Sequence, residues 1–128
     1  SDGCLAHRLM HPRYGVEKRY RVTVQGTVSD EALQMLAEGV PLEDGMTAPA
    51  RVRLLARGGR RSVLEITLSE GRKRQVRRMC RHVGHPVVRL VRTAVGPVEL
   101  GALPPGACRR LTDAEVARLR RAAGLTGQ

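Results

Sequence analysis

The stretch from Glu70 to Met79, running on to Val83-Gly84-His85-Pro86, constrains the fold more than any other part of this sequence. It reads as the end of a strand, a tight turn, then a short helix over about Lys73 to Val83 that Gly84 ends. On that helix Arg74, Arg77, Arg78 and Arg81 fall at i, i+3, i+4 and i+7, so four guanidinium groups share a face. Val76, Met79, Cys80 and Val83 fall on the opposite one. One side can dock on a core while the other shows cations to a cleft. A solvated arginine face is the plainer alternative. It is disfavoured because like charges at i,i+4 repel on an isolated helix and no acidic residue interleaves here.

Such a strip needs an anion. The chain has 128 residues and a formal net charge of +11, enough length for one cored domain and a field that attracts nucleic-acid phosphates. Only Lys18 and Lys73 are lysines; the rest of the positive charge is arginine, which forks onto phosphates and base edges. A biased genomic base composition produces the same excess, so the arginine count alone carries little. A membrane is not the expected target, since no long apolar run exists and no basic helix has a large aromatic or leucine face. The first residues are polar and no secretory signal is expected. Cys4, Cys80 and Cys108 are odd in number and far apart, which suits a reducing cytoplasm better than a disulfide framework. His7 and His11 stand at i,i+4 but lack HExxH and a third ligand, so no metal site is expected; His82 and His85 read as residues flanking a helix end.

Alternation and caps place the remaining elements. Cys4 to Met10 reads as a short helix stopped by Pro12. Glu17 to Gln25 alternates as a strand, with Tyr20, Val22 and Val24 on one side. Ser29 caps a helix from Asp30 to about Glu38, with Gly39 after it. Leu42 to Gly45 is a turn. Ala50 to Ala56 and Ser62 to Ser69 form a hairpin about Gly58-Gly59, and Val87 to Thr93 is a further strand. Thr112 with Glu115 makes a capping box for a last helix to about Ala123. Strands and helices mix without a βαβ rhythm. The expected class is α+β, a mixed, mainly antiparallel sheet with helices mostly on one face. Residues 1–123 are expected to form one domain and 124–128 a frayed tail. There is no Phe, no Trp and only two Tyr, so an aromatic base-stacking platform of the RRM or OB kind cannot be built.

His7-Arg8-Leu9-Met10-His11-Pro12, Lys18-Arg19-Tyr20, the Glu70–Met79 run, Gly84-His85-Pro86-Val87, Gly96-Pro97 and Leu103-Pro104-Pro105-Gly106 follow one another in an order and spacing that resembles a known family. It is the RsuA/RluB-type family of ribosomal RNA pseudouridine synthases, and the similarity runs from Ser1 to about Leu119. The resemblance implies a cofactor-free isomerisation in ribosomal RNA, on a catalytic domain with an RNA cleft across its sheet. The glycosidic C–N bond breaks, the uracil turns, and its C5 joins the sugar. It also implies a nucleophilic Asp in a GRLD-like motif a short way upstream of Ser1-Asp2-Gly3. No Gly-Arg-Leu-Asp occurs in this sequence, so the chain is expected to be the C-terminal part of a catalytic domain, inactive alone.

By position, the resemblance makes Tyr20 the tyrosine that packs on the target base and Arg77 the cation that pairs with that Asp. Plainer readings are a core tyrosine and one more phosphate contact. Leu90 lines the base pocket or is simply core. Lys18, Arg72, Lys73, Arg74, Arg78, Arg81, Arg89 and Arg92 are taken as RNA contacts. Glu43 and Asp44 lie in an exposed turn and are given no catalytic role. Two alternatives stay open: a non-catalytic RNA-binding module on the same fold, and a basic assembly protein of ribosomal type. The last predicts basic tails that neither end shows.

Overall fold

Alternation in one strand organises the molecule. The computed structural model describes residues 16–103 and 112–122. β1 (Lys18–Gln25) lies between β5 (Arg61–Leu68) and β6 (Val87–Val95), with β4 (Arg51–Arg57) beyond β5 and β7 (Val98–Leu103) beyond β6. All the paired strands of this five-stranded sheet run antiparallel. On one face of β1, Lys18, Tyr20, Val22 and Val24 stand opposite Leu68, Ile66, Leu64 and Ser62 of β5. Across β6 the same four residues meet Val95, Arg92, Leu90 and Val87. That second register holds because β6 is irregular twice, passing over Thr93 and Val88. A strict two-residue alternation would have sent half of its apolar residues to the far side.

The face so formed is the core. Val22, Val24, Leu64 and Ile66 pack with Ala32 and Leu36 of α1 (Asp30–Glu38) and with Val76, Met79 and Cys80 of α2 (Gln75–His82). Both helices therefore cover one side of the sheet. Each fully buried aliphatic contributes about 1.5–3 kcal/mol, so a core without Phe or Trp can still hold. α1 forms where expected. The Ser29 side chain accepts from Ala32 N at 3.1 Å, and Asp30 and Glu31 occupy the first turn. Gly39 ends it at φ +118, where a Cβ would collide with the Thr47 carbonyl. A small hairpin follows, β2 (Pro41–Leu42) and β3 (Gly45–Met46), with Glu43 and Asp44 at its tip. α3 (Asp113–Ala122) starts from the expected box: Thr112 N donates to Glu115 at 3.0 Å and Glu115 N to Thr112 Oγ1 at 3.1 Å.

Two boundaries differ from expectation by two residues, while those of β1, β4, β5 and the end of α2 shift by one. β6 continues to Val95. α2 begins at Gln75 rather than Lys73, because Arg74 adopts a left-handed conformation (φ 51, ψ 34) that cannot belong to a right-handed helix. The short helix expected over Cys4 to Met10, the Pro104-Pro105-Gly106 segment and the tail lie outside the described residues. No helix among the described residues is long and apolar enough to cross a membrane.

Candidate active site

Where β1, β5 and β6 pass the start of α2, the core opens into a cavity of about 320 Å³. Tyr20, Leu68 and Leu90 are its sheet side. The segment from Glu70 to Arg77 is its other wall. Tyr20 and Leu90 are half-buried, and each belongs to the inward face of its strand. Burial raises the Tyr20 hydroxyl above its ordinary pKa, opposed by the charge of Arg92 and by a hydrogen bond that the Arg92 guanidinium donates to it. The ring is therefore neutral across the physiological range and is held from behind.

The wall is fixed by one carboxylate. Glu70 Oε1 accepts from Ala48 N at 2.8 Å and from Gln75 Nε2 at 2.9 Å, while Oε2 accepts from Arg72 Nη2 at 3.0 Å. Burial pushes Glu70 up, but those hydrogen bonds outweigh it and hold the carboxyl below its ordinary value. Buried Gln75 also accepts from Arg72 N at 3.1 Å, which locks the tight turn that carries Arg74. Arg72 reaches on to the Gly45 and Met46 carbonyls at 3.0 and 2.7 Å. Arg78 grips Asp44 with both terminal nitrogens, at 3.0 and 3.1 Å. The hydrogen bond from Arg78 leads in holding the Asp44 carboxyl low, against the opposing effect of burial.

The expected RNA-contact residues thus divide. Arg77 lines the cavity, half-buried, and makes no ion pair or hydrogen bond through its side chain among the described residues. Arg74 lines it too, exposed. Lys73 and Arg81 are exposed. Arg89 is exposed, but it stands opposite Thr23 on the sheet face away from the cavity. Arg72 and Arg78 are tied to carboxylates and hold the β2–β3 hairpin against the wall.

Lys18 and Arg92 are corrections. Both are buried, at 1% and 5% exposure, on the inward face beside Tyr20, so neither presents a cation to an RNA backbone. Burial chiefly, with the charge of Arg92 added, lowers the Lys18 pKa; Glu70 works the other way. Glu43 and Asp44 are exposed at the hairpin tip as expected, but Asp44 serves as an arginine anchor. The Glu70–Gln75 pair went unrecognised in the sequence. The available signal was a single acid and a single amide inside a run of cations.

Residues 1–82 match the sequence pattern of the RNA pseudouridylate synthase family. The chain belongs to that family. More particularly, it is 43% identical over 122 residues to the ribosomal large subunit pseudouridine synthase B of Bacillus subtilis, covering 94% of this chain and 50% of that protein. It is 45% identical over 137 residues to the ribosomal large subunit pseudouridine synthase E of Xanthomonas axonopodis pv. citri, covering 94% and 72%. A solved pseudouridylate synthase structure superposes with a TM-score of 0.73 at 36% identity, over 88% of this chain and 49% of that one. The chain spans about half the length of the Bacillus relative and of the solved structure.

Proposed function

We propose that this chain supplies the base-holding part of an enzyme that isomerises uridine to pseudouridine in ribosomal RNA. One observation carries the proposal: Arg77, without a counterion among the described residues, lines the cavity whose opposite side is Tyr20. The target nucleotide must leave its stack, because C1′ and C5 are otherwise hidden. Tyr20 and Leu90 then form an apolar surface for the freed uracil while it turns. Atoms balance without redox chemistry: the N1–C1′ bond breaks, a C5–C1′ bond forms, C5 loses its proton to solvent and N1 takes one up. No cofactor is called for by that balance. Arg77 keeps a neighbouring carboxylate ionised, which is what a nucleophile at this site requires.

Among the described residues the cavity offers one carboxylate, Glu70, whose two oxygens are already occupied by Ala48, Gln75 and Arg72. The nucleophile is therefore expected from outside this set, in the aspartate motif that the family resemblance places upstream. The same fact favours a second reading, an RNA-binding module without catalysis. The names of the relatives support large-subunit RNA as the substrate, and a ribosomal substrate puts the protein in the cytoplasm. Tritium release from C5-labelled uridine in ribosomal RNA transcripts separates the readings. Release is expected from the chain extended upstream through such a motif and not from the chain alone. Bound RNA without release from either form would establish the module.

A further inference from the structure

Several arginines among the described residues have a carboxylate partner. Arg19, Arg51, Arg53, Arg57, Arg72 and Arg78 each reach one. Arg60 and Arg61 do not: both are exposed, and neither has an ion pair or side-chain hydrogen bond among the described residues. They border a second cavity, of about 970 Å³, where the loops at Gln25–Gly26, Gly58–Arg61 and Gly84–Pro86 meet. No acidic residue lines it among the described residues.

Its frame is built rather than incidental. Gln25 N donates to Pro86 O at 2.9 Å, Gly26 N to Arg60 O at 2.7 Å and Gly58 N to Arg61 O at 2.9 Å, so the three loops are stitched together. Beneath them the Ser62 hydroxyl donates to Gly26 O at 2.8 Å and accepts from Val28 N at 3.2 Å. His85 Nδ1 lies 2.7 Å from Gln25 O. A carbonyl only accepts, so Nδ1 carries the proton and donates, which fixes the ring against the Gln25–Gly26 loop. Gly26, at φ +88, allows this approach: a Cβ there would stand 3.2 Å from His85 Nδ1.

We infer that this groove binds a phosphate of the same RNA strand whose target base enters the Tyr20 pocket. The ligand class rests on the RNA reading above. Among the described residues the lining is led by the Arg60 and Arg61 guanidinium groups and backbone, with no aromatic platform of Tyr, Phe or Trp, which suits a phosphate better than a base. Placement supports one strand across both sites. Tyr20 and Gln25 lie at opposite ends of β1, about 17 Å apart at ~3.3 Å per residue. α2, about 12 Å long at ~1.5 Å per residue, runs the same way, from Gln75 in the pocket wall toward Gly84-His85 at the groove. A stacked strand advances ~3.4 Å per phosphate, so about five nucleotides bridge the two sites.

The test is fluorescence anisotropy of this chain with a labelled uridine octanucleotide and a trinucleotide, titrated with salt. In the Arg60→Ala/Arg61→Ala variant the octanucleotide is expected to bind about tenfold more weakly. The slope of log K against log salt should fall by roughly 0.7 for each phosphate that the variant no longer neutralises. The trinucleotide, too short to span both sites, shows no difference between wild type and variant. Arg53→Ala, which removes a cation that is paired to Glu65 and lines neither cavity, leaves the octanucleotide unchanged. Unchanged octanucleotide affinity and slope in the double variant would overturn the inference, as would an equal loss for both lengths or no RNA binding at all. Groove-dependent binding with no pseudouridine formed by the extended chain would leave the groove standing and remove the enzymatic reading.

Discussion

The arginines of one short stretch, Arg72 to Arg78, do opposite things: one pair braces the β2–β3 hairpin and the other borders the pocket. Arg72 and Arg78 are drawn to Asp44 and Glu70 and become struts of the β2–β3 hairpin. Arg74 and Arg77, their near neighbours in sequence, border the cavity, and neither meets a carboxylate among the described residues. What separates the two pairs is where carboxylates from other parts of the chain arrive. A guanidinium with a fixed carboxylate is already neutralised, and using it for a phosphate means displacing that partner. One without a partner is the cation a site can use. The left-handed Arg74 sits between the two groups, held by the Arg72–Gln75 turn, as local strain at a functional site often is.

That contrast breaks in measurable ways. The largest effect is expected on the pocket side: Tyr20→Ala in the upstream-extended chain should lower turnover about 100-fold, since misplacing a reacting base costs that much. RNA affinity should fall far less. Equal loss of both would give Tyr20 a folding role only. On the strut side the effect is on stability. Arg72→Ala leaves Glu70 and three hairpin carbonyls short of a donor and should cost about 2 kcal/mol in urea unfolding. A loss near zero would mean the hairpin is held by other interactions.

Acid sharpens the same point. The folded Glu70 carboxyl titrates below its ordinary 4.5, so the stability it supplies is present above that pH and is lost as pH falls through the folded value. Arg72→Ala should flatten that acid-side loss, and a wild-type-like profile would assign the shift to Gln75 and Ala48 alone. The smallest effect belongs to Asp44→Asn, which releases Arg78. The slope of RNA binding against salt should steepen by no more than about one phosphate's worth, with the thermal midpoint little changed. No change in slope would mean Arg78 does not reach the RNA even when freed.

Much of the fold was legible because local rules decided it. Ser29 and Gly39 bound α1, Thr112 and Glu115 start α3, and the alternation of Tyr20, Val22 and Val24 sets the inward face of β1. The register of β6 was not legible, since its two irregularities answer to the core rather than to any turn residue. For the site, the Lys18-Arg19-Tyr20 and Glu70–Met79 motifs pointed to Tyr20 and Arg77, and these two line one cavity with Leu90, whose plainer reading was core. Lys18 and Arg92 were misplaced because their burial follows from strand pairing between distant segments. The ion pairs of Arg72 and Arg78 were not legible, because their carboxylate Asp44 comes from a hairpin tip far back in the sequence. Helical spacing reports which face an arginine shares. It says nothing of what comes across to meet it.

On the proposed reading, Arg77 has no counterion among the described residues because its partner is the nucleophile. The direct measurement is tritium release by the upstream-extended chain carrying Arg77→Ala, with RNA affinity determined on the same preparation. The account predicts that release is abolished while affinity falls only modestly. Near-normal release in that variant would contradict it, and Arg77 would then be one more phosphate-binding cation beside Arg74.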